Sequence, residues 1–189
     1  MSSNSKEAIL AVARRTAQAH GYNGLNFRDL AAEVGIKAAS IYHHFPSKAD
    51  LGAAVAKRYW QDTSVALDAL LTEAGDPRSA LRSYPETFRW ALESDNRMCL
   101  ASFMAAEADD LPEPIKKEVR TFADVNVAWL GRALLASGIV GAGAGDGEAR
   151  ARAIFAAIAG AQLMARSRSD IALYDALIES YRQVGLLPD

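Results

Sequence analysis

One cysteine, Cys99, is all that 189 residues provide. It excludes an internal disulfide and, with only three histidines (His20, His43 and His44), leaves no zinc framework. No apolar run approaches the roughly 20 residues that span a bilayer, and the opening Met1-Ser2-Ser3-Asn4-Ser5-Lys6-Glu7 lacks the apolar centre of a secretory signal. The expectation is a soluble, cytoplasmic chain with no membrane partner, metal or cofactor. Alternating β-branched runs are missing, so strands are not expected. Catalytic signatures are missing as well. The glycine-rich stretch 138–147, GIVGAGAGDG, follows a helical pattern and has no Lys-Ser/Thr pair of a phosphate loop, and no Ser/His/Asp order or HExxH is present. Glu107-Ala108-Asp109-Asp110 reads as a solvated helix end. No enzyme is expected.

What is present is half hydrophobic by count and close to neutral, with a net charge of −2. That charge is unevenly placed. Residues 1–60 hold eight basic side chains (Lys6, Arg14, Arg15, Arg28, Lys37, Lys48, Lys57, Arg58) against four acidic ones (Glu7, Asp29, Glu33, Asp50), so the remainder carries −6. A basic first third suits a nucleic-acid contact confined to that part.

Apolar residues recur at three and four, and Ala, Leu, Glu, Arg and Met dominate, so the chain reads as all-α. Ala8, Ile9, Val12, Ala13, Thr16 and Ala17 line one face of a first helix that Gly21 stops. Asn26 caps a short second helix with Phe27, Leu30, Ala31 and Val34 inward, and Gly35 ends it. A third helix spans about 37–45, and Ser47 caps a long one over about 47–74. Beyond Gly75-Asp76-Pro77, Pro85 breaks a helix near Tyr84. Helices follow over about 97–109, from Pro114 to Ala136, over 147–167 and over 170–184, with 138–147 as a flexible loop. The expected division is a helix-turn-helix domain over 1–50, continuing into the linking helix 47–74, and a second domain over 75–189.

Helix, glycine turn and helix make a common arrangement; the outward face narrows its meaning. With Ile41 and Phe45 turned inward, Lys37, Ala38, Ser40, Tyr42, His43 and His44 are left outward, a mixture of small, hydroxyl and imidazole groups that suits a major groove. Arg28 and Lys48, at flanking helix starts, suit phosphates. The stretch Phe27-Arg28-Asp29-Leu30-Ala31-Ala32-Glu33-Val34-Gly35-Ile36, followed by Ser40-Ile41-Tyr42-His43-His44-Phe45-Pro46-Ser47-Lys48-Ala49-Asp50-Leu51, resembles the DNA-binding domain of the TetR family of transcriptional regulators. The resemblance implies a homodimeric repressor on near-palindromic double-stranded operator DNA, with Lys37, Ala38, Ser40, Tyr42, His43 and His44 as recognition-helix contacts and Arg28 and Lys48 flanking them. Two positions depart from the family pattern: Lys37 stands where a capping Ser is frequent and Ala39 where Gly is frequent. For Tyr42, packing on the first helix is the alternative, and for the two histidines plain solvent exposure.

For the part after residue 77 the resemblance implies a ligand-binding and dimerisation domain that holds an unidentified small-molecule inducer. Residues whose bulk or polarity is unusual for plain core are Tyr84, Phe88, Met98, Cys99, Phe103, Asn126, Trp129 and Gln162; packing is the alternative for each. Cys99, placed in the first turn of the 97–109 helix beside Arg97, is either a small buried hydrophobe or a sensor thiol of lowered pKa, similar to an electrophile-responsive branch of the family. The last two helices carry more apolar surface than one chain covers. Ile154, Ala157, Ile158, Ile171, Tyr174, Ile178 and Tyr181 are therefore expected to meet a second copy; two ordinary core helices of a monomer are the alternative. A helical adaptor that binds only protein would also use those helices, but it gives the basic N-terminal unit no purpose.

Overall fold

The structure, a computed structural model, describes residues 2–141 and 145–188, with side chains from Ser5 onward. Residues 142–144 of the glycine-rich loop lie outside the described residues. Among those described there are ten helices and no strand. They are α1 (Ser2–His20), α2 (Phe27–Val34), α3 (Ala38–His44), α4 (Lys48–Glu73), α5 (Pro77–Ser83), α6 (Glu86–Glu93), α7 (Leu100–Ala106), α8 (Glu113–Ala136), α9 (Asp146–Arg168) and α10 (Ile171–Gln183).

The expected punctuation is realised in atoms. Asn26 Oδ1 accepts the Arg28 amide at 2.8 Å, which satisfies one of the orphan donors at the start of α2. At the other end Gly35 takes a left-handed conformation (φ 76°), and the Gly35 and Ile36 amides return to the carbonyls of Ala32 and Ala31. Ser47 and Asp50 cap α4 reciprocally: the Asp50 amide donates to Ser47 Oγ at 3.1 Å and the hydroxyl donates to Asp50 Oδ2 at 2.7 Å. Pro85, lacking an amide, separates α5 from α6.

Contacts divide the chain into two compact units, Met1–Gln61 with Leu100–Phe122 and Asp62–Cys99 with Ala123–Asp189. These units differ from the expected division near residue 75. α7 packs on α1, the Phe122 ring stacks on Tyr59 at 5.2 Å, and Trp60 Nε1 donates to Glu118 at 2.7 Å. These contacts draw residues 100–122 to the N-terminal helices. Inside the first unit, Ile9, Val12, Ala13 and Ala17 of α1, Phe27 and Leu30 of α2, and Ile41 of α3 with Phe45 behind it are buried. Burying those apolar groups together fixes α3 on α1 and α2.

In the second unit α9 packs on α6 and α10, and α10 also packs on α6. Tyr174 of α10 is buried and donates its hydroxyl to the Pro85 carbonyl at 2.7 Å. Burial holds that phenol well above its ordinary pKa, so it stays a donor. Outside, Arg89 bridges Glu93 and Asp175, tying α6 to α10.

Candidate functional site

Holding Ile41 and Phe45 inward leaves the rest of α3 outside. Tyr42 is 57% exposed, Lys37 and His43 are exposed, and Ala38, Ser40 and His44 are half-buried. The Tyr42 ring does not lie loose: it meets Phe27 edge-on at 4.7 Å between centroids, so α2 sets its position. Lys37 begins α3 with no side-chain hydrogen bond to the helix amides, as expected from the loss of a capping Ser, and its ammonium remains available. Each of the six residues expected to reach a groove is therefore at least partly accessible.

Beside this face is a concavity of about 490 Å³ whose walls include Asn26, Phe27, Arg28, Ala38, Tyr42 and Lys48. A guanidinium, an ammonium and a phenol around one depression can hold the oxygens of an anion. Lys48 has a second commitment: its Nζ donates to the Asn23 carbonyl at 3.1 Å and lies 4.6 Å from the centre of the Tyr22 ring. An ammonium has three donors, so the contact to Asn23 fixes the side chain while leaving N–H groups for the depression.

The residues expected to meet a ligand are divided by the structure. Tyr84, Phe88, Asn126 and Trp129 come together and are buried. Tyr84 donates to Asn126 Oδ1 at 2.8 Å, stacks on Trp129 at 5.5 Å and meets Phe88 at 6.0 Å. The indole N–H of Trp129 is buried and has no hydrogen-bond partner, an unfavourable state for such a donor. Phe103 belongs to the first compact unit.

Gln162 is an internal clamp. Its Nε2 donates to the Phe88 carbonyl at 2.6 Å, and its Oε1 accepts the Cys99 amide at 2.9 Å. Cys99 stands just before α7 instead of in the first turn of a helix from residue 97, and it is 2% exposed. Of the two readings of Cys99, the buried one matches its enclosure: α7 starts three residues later than expected, and the thiol is covered. Ellman's reagent is expected to modify native Cys99 on the order of a hundredfold more slowly than the unfolded chain, because attack must await an opening of the surrounding packing. Modification at the unfolded rate in the native protein would restore the reactive reading.

The residues expected to meet a second copy are divided as well. Ile154, Ile158, Tyr174 and Ile178 are buried within the chain's own fold, while Ala157, Ile171 and Tyr181 are half-buried at its margin. Outward-facing instead are Ala153, Ala156, Gly160, Leu163 and Met164 of α9 and Ala172, Ala176 and Ser180 of α10.

Sequence reasoning did not foresee an open concavity of about 630 Å³ along the outer side of α8 and α9, with Asp124, Gly131, Arg132, Leu135 and Phe155 among its walls. None of the eight expected ligand residues lines it. Its sequence signals are Gly131 inside a helix, where the missing side chain leaves open space, and the glycine-rich stretch, whose Val140, Gly141, Gly145 and Gly147 join its walls.

Residues 9–55, which contain α2, α3 and their supports, match the family described as bacterial regulatory proteins, tetR family. Over that stretch the chain carries a DNA-binding domain of the type found in the TetR family of transcriptional regulators. This regulator is similar along nearly its whole length to the solved transcriptional regulator of the TetR family from Agrobacterium tumefaciens, 29% identical, with a TM-score of 0.89 and coverage of 97% of this chain and 98% of that one. The HTH-type transcriptional repressor NemR of Escherichia coli is 26% identical over 134 residues, 69% of this chain and 67% of that protein. The HTH-type transcriptional repressor AcnR of Corynebacterium glutamicum is 30% identical over 89 residues. That match spans 46% of this chain and less than half, 45%, of AcnR. The regulator is a DNA-binding protein and not an enzyme, and no described helix is long and apolar enough to cross a membrane.

Proposed function

We propose that the regulator is a homodimeric repressor that binds a near-palindromic operator through α3 of each copy and leaves it when the second unit takes up a small-molecule inducer. The observation that carries this reading is the outward face of α3, with Tyr42 braced on Phe27 beside the depression that holds Arg28 and Lys48. Lys37, Ala38, Ser40, Tyr42, His43 and His44 are the recognition-helix contacts, while Arg28 and Lys48 hold flanking phosphates. Repression is taken from NemR and AcnR, both named as repressors.

The dimer forms through the exposed small-residue sides of α9 and α10, with Ala157, Ile171 and Tyr181 at the rim. For the inducer, Tyr84, Phe88, Asn126 and Trp129 supply one wall. The unpaired indole N–H of Trp129 supports this assignment, since a ligand acceptor would satisfy it. Gln162, bonded to the Phe88 carbonyl and the Cys99 amide, belongs with Cys99 to the framework behind that wall, and Met98 is buried next to Cys99 in the chain.

A duplex selected from a random library by the wild-type protein gives the direct test. Tyr42→Ala is expected to weaken binding to that duplex about tenfold or more, because each loss of about 1 kcal/mol occurs twice in a symmetric complex. Fluorescence anisotropy with equal affinities for wild type and variant would remove Tyr42 from the interface. A wild-type protein that enriches no duplex would sink the operator reading.

A further inference from the structure

One carboxylate outside the DNA-facing surface reaches the turn that leads into it. α1 ends at His20, and Gly21 takes a left-handed conformation (φ 70°) with its amide bonded back to the Ala17 carbonyl. The next two amides point away from the helix. Glu107, directly after α7, accepts both: Oε2 takes the Tyr22 amide at 2.6 Å and Oε1 takes the Asn23 amide at 3.5 Å. A side chain at Gly21 would run into this carboxylate.

From its other pole the same segment is held by Lys48, whose ammonium takes the Asn23 carbonyl. The Tyr22 ring is buried against Gly52, where an added Cβ would come within 3.0 Å of it. An anion on the amides and a cation on the carbonyl complement the dipoles of one short piece of backbone. All of these residues lie within one compact unit. The held residues occupy the middle of the turn between α1 and Asn26, the cap of α2. Fixing them fixes where α2 begins, and α2 carries both α3 and the ring that braces Tyr42.

We propose that Glu107 is a positioning residue for sequence-specific operator recognition, acting through the Tyr22–Asn23 backbone and not through DNA. The proposal rests on the regulator's DNA-binding role. Base-edge hydrogen bonds demand close placement of α3, whereas long, flexible Lys and Arg side chains follow phosphates through small displacements. Loss of the carboxylate therefore lowers specific affinity and spares non-specific affinity.

The test compares wild type, Glu107→Met and Glu107→Gln on the selected duplex and on a scrambled duplex of equal length and composition. Methionine keeps the stem and removes both acceptors; glutamine keeps one oxygen. Glu107→Met is expected to bind the selected duplex about tenfold more weakly, the worth of a charge-assisted hydrogen bond. Scrambled-duplex affinity and the salt slope should stay unchanged. Glu107→Gln should recover to within about threefold of wild type, because its amide oxygen accepts one of the two donors. Equal losses on both duplexes, unchanged affinity for the selected one, no recovery with glutamine, or a Glu107→Met protein that circular dichroism finds unfolded would each overturn the proposal. Failure of the wild type on every duplex would instead remove the operator reading on which it rests.

Discussion

Gln162→Leu is expected to lower the thermal midpoint by about 10 °C at fixed protein concentration. The leucine side chain has similar volume, so little cavity forms, and the loss is electrostatic. The Cys99 amide, buried before α7, loses the acceptor that it has at 2.9 Å, and the Phe88 carbonyl loses a donor at 2.6 Å. An orphaned buried donor costs about 1–3 kcal/mol and a lost hydrogen bond about 1 kcal/mol more, which together make about 2–4 kcal/mol. For a chain of this size each kcal/mol moves the midpoint about 2–4 °C. Differential scanning calorimetry of wild type and variant at one concentration checks it, the concentration being held because the proposed dimer would contribute to apparent stability. A midpoint within about 2 °C of wild type would mean that water replaces the amide at both sites.

Gln162 also marks where sequence reading stops. A lone glutamine on an apolar helix is visible as an anomaly, and a ligand is one reasonable cause. Its partners are backbone groups 74 and 63 residues away, and backbone groups leave no trace in residue type. Glu107 was hidden for the same reason: an acidic run at a helix end reads as solvated, and only the fold brings it to the amides of Tyr22 and Asn23. Because contacts of that kind join residues 100–122 to the N-terminal helices, the division of the chain was not readable either. By contrast, Asn26, Gly35, Ser47 and Pro85 act within a few residues of themselves, and the boundaries they set agree with the structure to within about two residues. The outward set on α3 followed from Ile41 and Phe45 alone, since two buried positions fix the phase of a short helix.

The phase of α9 was harder because both of its sides are apolar. Ile154 and Ile158 occupy one, and Ala153, Ala156 and Gly160 the other. Periodicity does not choose between two apolar sides, but burial energy does. Each isoleucine removes far more apolar area from water than an alanine, so the bulky side goes inward and the small side is left at the surface. A second copy packed on this side would therefore meet alanines and a glycine, which permit close helix approach, together with the exposed Leu163 and Met164, instead of Ile154 and Ile158.

Gly160→Glu tests that surface with a large expected effect. Gly160 is exposed, and an added Cβ would meet no atom within 4 Å. The isolated fold should thus tolerate the change and gain up to about 1 kcal/mol from replacing glycine inside a helix. In a two-fold dimer packed through this side, the two introduced carboxylates would be desolvated near each other with no cation provided for them, which costs several kcal/mol. The variant is expected to sediment as a 20.3 kDa species, and the wild type at twice that mass. Operator affinity should fall at least about a hundredfold, since two half-sites joined in one dimer gain about 10²–10⁴ over one alone. Circular dichroism of the variant should match wild type, which separates loss of assembly from loss of folding. If Gly160→Glu remains dimeric and holds the selected duplex as wild type does, the copies meet elsewhere, and the exposed small-residue side of α9 has no part in the assembly.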